Sequence, residues 1–268
     1  MIQLPIVTLS HEALLHLEEQ QSIINRISEY HLQVEEAKRL FSLRNTMDNE
    51  HFNTIKSALT EMCCGPRRCV YCEDSCANEV EHIKPKTLYP EETFVWDNYL
   101  YACRICNGTK SDNFAVFSAN TGEFINVARR KKDPIVRVEP GTPVLINPRI
   151  ENPLDFIDLD LRGTFFFRPR IDIESTQHRR GEYTIETLEL NRDPLPDARE
   201  EAYNCYKALL GDYIRISNNG SPDHALYRLI QALKRMRHPS VWREMKRKHT
   251  RIPDLNELFT AAPEALDW

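Results

Sequence analysis

Four cysteines fall into two closely spaced pairs, and their type and spacing point to metal chemistry. The pairs are Cys69-x2-Cys72 and Cys103-x2-Cys106, with residues 73–102 between them. Thiolate sulfur is the ligand that closes a tetrahedral zinc site without leaving a position open for a reactant. The spacing therefore predicts one structural zinc ion per chain. The interval is longer than in a usual zinc ribbon, which indicates that a further element is folded between the pairs.

That interval contains a histidine, in the stretch VEHIKPK, at position 82. A lone histidine is most often an ordinary hydrogen-bonded or partly exposed residue, so its surroundings decide how it is interpreted. Asn98 and Asn107 follow His82 in the chain, and Asn107 comes directly after the last cysteine of the second pair. The order His, Asn, Asn between two cysteine pairs is improbable by chance and calls for a chemical explanation.

The residues that precede the cysteines show helical patterns. Apolar residues recur with helical spacing from Ile24 to Phe41 and predict one amphipathic helix. A second helix is predicted from Phe52 to Met62, and Gly65-Pro66 supplies its stop signal. Residues 1–62 are therefore interpreted as a helical region. Residues 63–115, with their cysteines, aromatic residues and turn formers, are interpreted as a compact metal-bearing module.

Residues 116–268 are predicted to mix a hairpin with helices. The stretch LDFIDLDLRGTFFFRP contains two strand-like runs around Arg162-Gly163. A helix is predicted over RRGEYTIETLELN, and another begins with Asp193 as cap and Pro194 at its first helical position. The apolar face predicted for that second helix holds Leu195, Ala202, Cys205, Leu209 and Tyr213. The expected fold class is α+β, with a zinc-clamped central module flanked by helical segments.

The composition is that of a globular protein. The chain has 268 residues, of which 41% are hydrophobic and 28% charged, which excludes a disordered or fibrous chain. No apolar stretch is long enough to cross a bilayer, and the opening residues lack the features of a secretory leader, so we expect a cytoplasmic protein. Because that compartment keeps thiols reduced, metal binding is favoured over disulfides. The other four cysteines are interpreted as free thiols or small buried residues: Cys63, Cys64, Cys76 and Cys205.

Charge is distributed unevenly along the chain. The formal net charge is -5, and residues 69–110 carry four Lys/Arg against seven Asp/Glu, a net of -3. Residues 129–132 are wholly basic, and residues 234–251 carry eight Lys/Arg against one Glu, a net of +7. Either run could be a solvated surface, but phosphate attraction has to come from these runs or from a partner.

The motifs resemble those of the HNH endonucleases, whose ββα-metal motif wraps a hairpin and a helix around one divalent ion. The matching stretches are CVYC, VEHIKPK and WDNYLYACRICNGTK. With LINPRIENPLDFIDLD and YTIETLELNRDPLPDAREEAY, the resemblance extends in patches over residues 69–204 to the PtuB-type nucleases of Septu and retron anti-phage systems. It implies metal-dependent phosphodiester hydrolysis that leaves 5′-phosphate ends. It also implies a defence role beside an SMC-like ATPase partner of the PtuA type.

The resemblance assigns roles to particular residues. His82 would be the general base, since an imidazole titrates near neutral pH and can accept a proton from water. Asn98 would orient the imidazole by a hydrogen bond, and Glu81 and Asn107 would hold Mg²⁺ or Mn²⁺ through oxygen. The chain departs from the family pattern at both metal positions. Asn107 stands where the family has its last histidine, and Glu81 where an aspartate is more usual.

Three lysines are candidates for contact with nucleic acid: Lys84, Lys86 and, foremost, Lys110. Each alone could equally be a solvated surface lysine. DNA is the preferred substrate and RNA, such as a tRNA, the alternative. Two rival functions stay open: a zinc-ribbon module that binds nucleic acid without catalysis, and a stand-alone restriction-type nuclease.

Overall fold

The N-terminal region consists of three helices. The computed structural model describes residues 1–220 and 223–268. The three helices are α1 (His11–Asn25), α2 (Tyr30–Arg44) and α3 (Glu50–Glu61). Ser10 caps α1 by accepting a hydrogen bond from the backbone N–H of Ala13, and Asn49 caps α3 in the same way through Phe52.

The single helix predicted from Ile24 to Phe41 is two helices. Helix α1 ends at Asn25 and α2 begins at Tyr30, so the apolar spacing continues across a turn. The side-chain amide of Gln33 donates to the carbonyl of Ile27 at 2.7 Å and satisfies a backbone group that the turn exposes. Periodicity alone could not reveal this break, because the residues on both sides of it are buried on the same core.

A hairpin followed by a helix forms the centre of the molecule. Strands β1 (Glu79–His82) and β2 (Tyr99–Ala102) pair antiparallel, with Glu81 opposite Leu100 and His82 opposite Tyr99. Helix α4 (Arg104–Lys110) follows β2 directly. Short 3₁₀ helices occupy Pro90–Glu92 and Trp96–Asn98 in the connection between the strands. This arrangement confirms the predicted α+β class with a central hairpin and helix.

The C-terminal region begins with two small sheets. Strands β3 (Ala115–Ser118), β4 (Phe124–Asn126) and β5 (Gly141–Pro143) form an antiparallel sheet in the order β4-β3-β5, which the sequence patterns do not predict. Strands β6 (Ile157–Leu159) and β7 (Phe167–Pro169) form the predicted hairpin around Arg162-Gly163.

Helices complete the C-terminal region. They are α5 (Ser175–Thr187), α6 (Leu195–Asn218), α7 (Asp223–Lys234), α8 (Pro239–Lys248) and α9 (Pro253–Ala261). Helix α6 begins at Leu195, one residue later than predicted, and its N-cap is Pro194 rather than Asp193. Cys205, predicted on its apolar face, is exposed, and the neighbouring Tyr206 is buried in its place. Among residues 1–220 and 223–268, none of the helices combines the length and apolar character that crossing a bilayer requires.

The core is continuous across the three predicted segments. Buried apolar side chains form one cluster that includes Leu17 and Phe52 from the N-terminal helices, Leu100 from the hairpin and Trp242 from α8. The N-terminal helices therefore pack directly on the central module. The boundaries predicted at residues 62 and 115 remain predictions.

A stacked histidine pair joins α1 to α3 and makes stability depend on pH. The rings of His16 and His51 lie 4.4 Å apart at an angle of 18°. Burial, His51 and Arg44 lower the pKa of His16, while Glu19 opposes them. Because the folded protein holds His16 at a lower pKa than the unfolded chain does, the unfolded chain binds more protons as the pH falls through about 6.5. Stability is therefore lost toward acid pH.

We predict that His16→Gln flattens the dependence of the melting temperature on pH between about 7.5 and 5.5. Thermal melts at several pH values measure this slope. The exposed His11, on the same helix, provides the control His11→Gln, which should keep the wild-type slope. Identical slopes in wild type and His16→Gln would show that the histidine pair does not set the pH dependence.

Candidate functional site

The four paired cysteines converge on one point. Their sulfur atoms all lie within 4.8 Å of one another, and all four side chains are buried. Cys103 is the N-cap of α4, and its sulfur accepts the backbone N–H of Cys106 at 3.5 Å. The turn at Cys69 is closed by two backbone hydrogen bonds of 2.8 Å, from its N–H to Ser75 and from Glu73 to its carbonyl. Two separate turns thus present the sulfurs to each other.

The donor set fits a zinc ion. Four sulfurs at this separation, without a disulfide, match the soft and closed tetrahedral set that zinc takes in structural sites. Hydrogen bonds among the four sulfurs lower the pKa of the Cys103 and Cys72 thiols, whereas the pKa values of Cys69 and Cys106 are raised. The guanidinium of Arg192 donates to the sulfur of Cys106 at 3.2 Å and places a positive charge beside it. Sequence reasoning missed Arg192, because it comes from the loop between α5 and α6.

An open groove of about 350 Å³ lies where the β1–β2 hairpin meets α4. It brings together four of the predicted site residues: Glu81, His82, Lys86 and Asn107. The other predicted residues lie elsewhere: Lys84 and Asn98 line a different cavity, and Lys110 is buried. Sequence reasoning missed Glu79, Arg104 and Asp112, which also line the groove.

One ring nitrogen of His82 is hydrogen-bonded within the protein, and the other can accept a proton. Its Nε2 lies 2.9 Å from the carbonyl oxygen of Thr93, which can only accept, so Nε2 carries the proton. Burial and Lys86 lower the pKa of His82 well below its usual value, which keeps the ring neutral. The lone pair of Nδ1 is then the proton acceptor of the ring. The rings of Phe41 and Tyr99 pack against it with their centroids at 4.5 and 5.1 Å.

The side chain of Asn98 binds the loop at residues 84–93 rather than the imidazole of His82, which corrects the expectation of a direct hydrogen bond to that ring. Its side chain accepts from the N–H of Lys84 at 2.8 Å and donates to the carbonyls of Lys84 and Glu92 at 3.0 and 2.9 Å. These bonds tie the two ends of the loop 84–93 together. The physical reason for the difference is that the ring N–H of His82 is already bonded to Thr93, at the end of that loop.

Lys110 lies beneath the groove rather than at its surface. It is fully buried, and its ammonium lies 2.6 Å from Oε1 of Glu81 and donates to the carbonyl of His82 at 2.8 Å. In this position it cannot contact a phosphate, so the expectation that it binds nucleic acid is corrected. Lys110 instead joins α4 to β1. It also opposes the effect of burial, which raises the pKa of Glu81.

Lys84 is also engaged within the protein. Its ammonium lies 2.5 Å from Oε1 of Glu92, and both side chains are partly exposed. Lys86 has a different environment, because its ammonium lies 5.0 Å from the ring centre of Phe41 at the edge of the groove. Burial lowers the pKa of Lys86. Of the three lysines predicted to contact nucleic acid, Lys86 alone lines the groove.

Oxygen donors line the groove close to His82. Glu79 and Glu81 share one face of β1, because side chains alternate along a strand. The amide nitrogen of Asn107 donates to Oε2 of Glu79 at 2.6 Å, and Asp112 supplies a third carboxylate. Carboxylate and amide oxygens suit Mg²⁺ or Mn²⁺. Among the described residues, the four cysteines are the one group of three or more His, Cys, Asp or Glu side chains whose ligand atoms meet at a single point, so the carboxylates of the groove are more widely spaced.

The N-terminal helices hold the loop that fixes His82. The side-chain amide of Gln21, buried in α1, donates to the carbonyl of Pro90 at 3.1 Å and accepts from the N–H of Phe94 at 2.8 Å. These two positions lie on either side of Thr93. The hydroxyl of Tyr30, at the start of α2, donates to the carbonyl of Leu88 at 2.7 Å. Sequence reasoning missed Gln21, because a glutamine in a polar helix gives no signal of burial.

Two comparisons with known proteins agree with this geometry. Residues 69–113 match the family model of the HNH endonucleases. A second match is to the Septu protein PtuB of Bacillus thuringiensis, with 36% identity over 94 residues. That match covers 33% of this chain and 30% of the relative. An HNH endonuclease domain therefore lies over the cysteine cluster and the groove, as the sequence motifs predicted.

We predict that Cys103→Ser removes the zinc and destabilises the protein, because the energy of metal binding is also folding energy. The zinc content should fall from one ion per chain. The melting temperature should fall by about 5–15 °C, since each kcal/mol lost shifts a chain of this size by about 2–4 °C. Elemental analysis and thermal melting measure the two effects.

Cys205→Ser is the matched control, because Cys205 is exposed and lies outside the cluster. It should keep both the zinc and the wild-type melting temperature. If Cys103→Ser also kept both, the cysteine cluster could not be a structural zinc site.

Proposed function

We propose, from the HNH endonuclease domain at residues 69–113, that this chain is a metal-dependent endonuclease that hydrolyses phosphodiester bonds of nucleic acid. The observation that carries the proposal is the state of His82. Its Nε2 lies 2.9 Å from the carbonyl oxygen of Thr93, burial lowers the pKa of the ring, and the side chain lines a groove rich in oxygen donors. A purely structural zinc module would need no such arrangement.

In the proposed reaction His82 acts as general base. The Nδ1 lone pair takes a proton from a water molecule in the groove, and the water oxygen forms a bond to phosphorus. The bond from phosphorus to the 3′ oxygen breaks, so one product carries a 5′-phosphate, and the leaving 3′ oxygen takes a proton from solvent to become a hydroxyl. The hydrogen bond to Thr93 becomes stronger as the ring gains positive charge, because an imidazolium is a better donor than a neutral imidazole.

Glu81 and Asn107 would hold Mg²⁺ or Mn²⁺, with Glu79 beside them. When bound, such an ion stabilises negative charge on the phosphate and on the leaving oxygen. Within the protein, the contact from Lys110 helps keep Glu81 ionised, and Glu79 fixes the amide of Asn107. The longer side chain of Glu81 and the amide of Asn107 are therefore each positioned by a neighbour.

DNA is the proposed substrate, and cleavage of RNA is the alternative that the same chemistry allows. Lys86 and Arg104 line the groove and are the proposed phosphate contacts within it. The basic stretch at 129–132 is connected to the N-terminal helices, because Arg129 donates to the hydroxyl of Tyr30 at 2.9 Å. Tyr30 in turn bonds Leu88 in the loop that fixes His82.

We further propose that the chain acts in a Septu-type anti-phage system together with an SMC-like ATPase of the PtuA type. The support is the relative named Septu protein PtuB, which shares 36% identity over 94 residues. Residues 63–115 are the proposed catalytic module, and residues 1–62 are its supporting helices. A stand-alone restriction-type nuclease would keep the same chemistry and work without the ATPase.

We predict that His82→Ala lowers cleavage by about a hundredfold to ten-thousandfold, which is the usual loss when a positioned base is removed. Zinc content should be unchanged, because the cysteine cluster is a separate set of ligands. His82→Gln keeps more of the buried volume and should be equally inactive. Cleavage assays with Mg²⁺ or Mn²⁺, with and without a co-encoded ATPase, measure the loss. Wild-type rates in a folded His82→Gln protein would exclude His82 as the base.

We predict that Gln21→Leu lowers kcat by about tenfold with little change in KM. Without Gln21 the loop shifts, and the carbonyl of Thr93 then no longer holds His82 in place. Gln20→Leu is the matched control: Gln20 neighbours it and is also buried, but it accepts from Arg44 rather than binding the loop. Steady-state kinetics on both variants measure the difference. Equal kcat values for the two variants would remove the positioning role of Gln21.

A further inference from the structure

The basic run at 234–251 does not form one open surface. Arg247 and Lys248 lie 2.6 and 2.8 Å from the carboxylate of Asp158. Arg237 is paired with two further carboxylates. Much of the charge of this run is therefore neutralised within the fold.

The basic stretch at 129–132 belongs to an exposed loop whose charge is not neutralised in this way. Residues 127–138, called the basic loop below, carry five Lys/Arg against one Asp, a net of +4. Three cations form its exposed tip: Arg130, Lys131 and Lys132. Within residues 1–220 and 223–268, no carboxylate oxygen lies within 4.0 Å of their side-chain nitrogens. The carboxylate of Asp133 is used inside the loop, because it accepts the backbone N–H of Arg130 at 2.7 Å.

The base of the basic loop is fixed on one tyrosine of α2. The guanidinium carbons of Arg129 and Arg137 lie 5.6 and 5.1 Å from the ring centre of Tyr30. Arg129 also donates to the hydroxyl of Tyr30 at 2.9 Å and, across the loop, to the carbonyl of Val136 at 3.1 Å. The three tip cations are therefore carried by a fixed base.

Tyr30 also connects the basic loop to the loop 84–93. Its hydroxyl donates to the carbonyl of Leu88 at 2.7 Å. In addition, Arg137 lies 3.9 Å from the carboxylate of Glu91. Two independent contacts thus place the base of the basic loop beside the loop that fixes the proposed general base.

Helix α2 sets the distance from the basic loop to the groove. It begins at Tyr30, and the ring of Phe41, near its other end, lies 4.5 Å from the ring of His82. At about 1.5 Å per residue, the helix covers about 16 Å between Tyr30 and Phe41. Lys38 is exposed on the turn before Phe41. Burial lowers the pKa of Lys86 in the groove, and the charge of Lys38 adds to this effect, so these two lysines lie near each other.

We propose that the tip of the basic loop, together with Lys38 and the cations of the groove, binds the phosphate backbone of the DNA substrate. The inference rests on the proposed function for its ligand and adds the surface that holds it. Residues 69–110 carry a net charge of -3, so the phosphates have to be attracted from outside the module.

The distance along α2 matches the spacing of phosphates in a duplex. Phosphates on one strand of DNA follow each other by about 3.4 Å along the helix axis, so about 16 Å corresponds to about five base pairs. A strand that lies in the groove therefore passes the base of the basic loop within about half a helical turn. Contacts to phosphate position a nucleic acid without reading its sequence.

The test is the binding of the full chain to a fluorescently labelled DNA duplex of about two helical turns, without added divalent metal. Fluorescence anisotropy is measured over a range of salt concentrations, on duplexes of two unrelated sequences. The variant Arg130→Gln/Lys131→Gln/Lys132→Gln should weaken binding by about tenfold or more. It should also reduce the slope of log affinity against log salt by about 2–3, since each phosphate contact contributes about 0.9. Both sequences should lose affinity by the same factor, and the melting temperature should not change.

The variant Lys234→Gln/Arg235→Gln/Arg243→Gln is the matched control, because it removes the same charge from exposed residues around α7 and α8. It should keep the wild-type affinity and salt slope. Lys131→Arg/Lys132→Arg keeps the charge of the tip and should also bind like the wild type. The proposal is overturned if the wild type shows no salt-dependent binding or if the tip variant keeps the wild-type slope. It is also overturned if the control loses as much affinity as the tip variant, because net charge would then explain the binding.

Binding and cleavage are measured separately, so the two proposals can fail separately. A chain that cuts no nucleic acid, but whose tip variant has the reduced slope, would refute the cleavage reaction and support the binding surface. A chain that cuts DNA, but whose tip variant binds like the wild type, would support the cleavage reaction and refute the binding surface.

Discussion

The hydrogen bond between Nε2 of His82 and the carbonyl of Thr93 is the contact on which the arrangement of the site depends. It fixes which ring nitrogen carries the proton and therefore which one can accept a proton from water. The hydroxyl of Tyr99 donates to the same carbonyl at 2.7 Å, so one backbone oxygen receives two donors. The loop that carries Thr93 is long and would be mobile if it were free. It is fixed from within by Asn98 and from the N-terminal helices by Gln21.

Two kinds of ligand perform separate tasks in one small module. Sulfur atoms from two turns close a site suited to zinc, which links the end of β2 and the start of α4 to the turn before β1. Oxygen donors on β1 and α4 face an open groove instead. The buried contact between Lys110 and Glu81 joins α4 to β1 a second time and places a positive charge beneath the groove. The module shares one core with the helices packed against it, and these links hold its hairpin and α4 together.

The features that were predictable from the sequence are those encoded over short distances. Cysteine spacing predicted the cluster, and the motif around His82 predicted the hairpin and helix that carry it. Contacts between distant parts of the chain could not be predicted. Neither the burial of Lys110 nor the pairing of Gln21 with the loop has a local signal, because both depend on how elements pack. The break between α1 and α2 was missed for a related reason, since apolar periodicity records burial and not continuity of the helix.

The central claim is that the fold holds His82 neutral, with its proton on Nε2 and its Nδ1 free to accept another. The ¹⁵N chemical shifts of the imidazole, measured by NMR on protein labelled at histidine, report this state directly. At neutral pH the account predicts a protonated Nε2 and an unprotonated Nδ1 for the resonances that disappear in His82→Gln. A proton on Nδ1, or on both nitrogens, would contradict it.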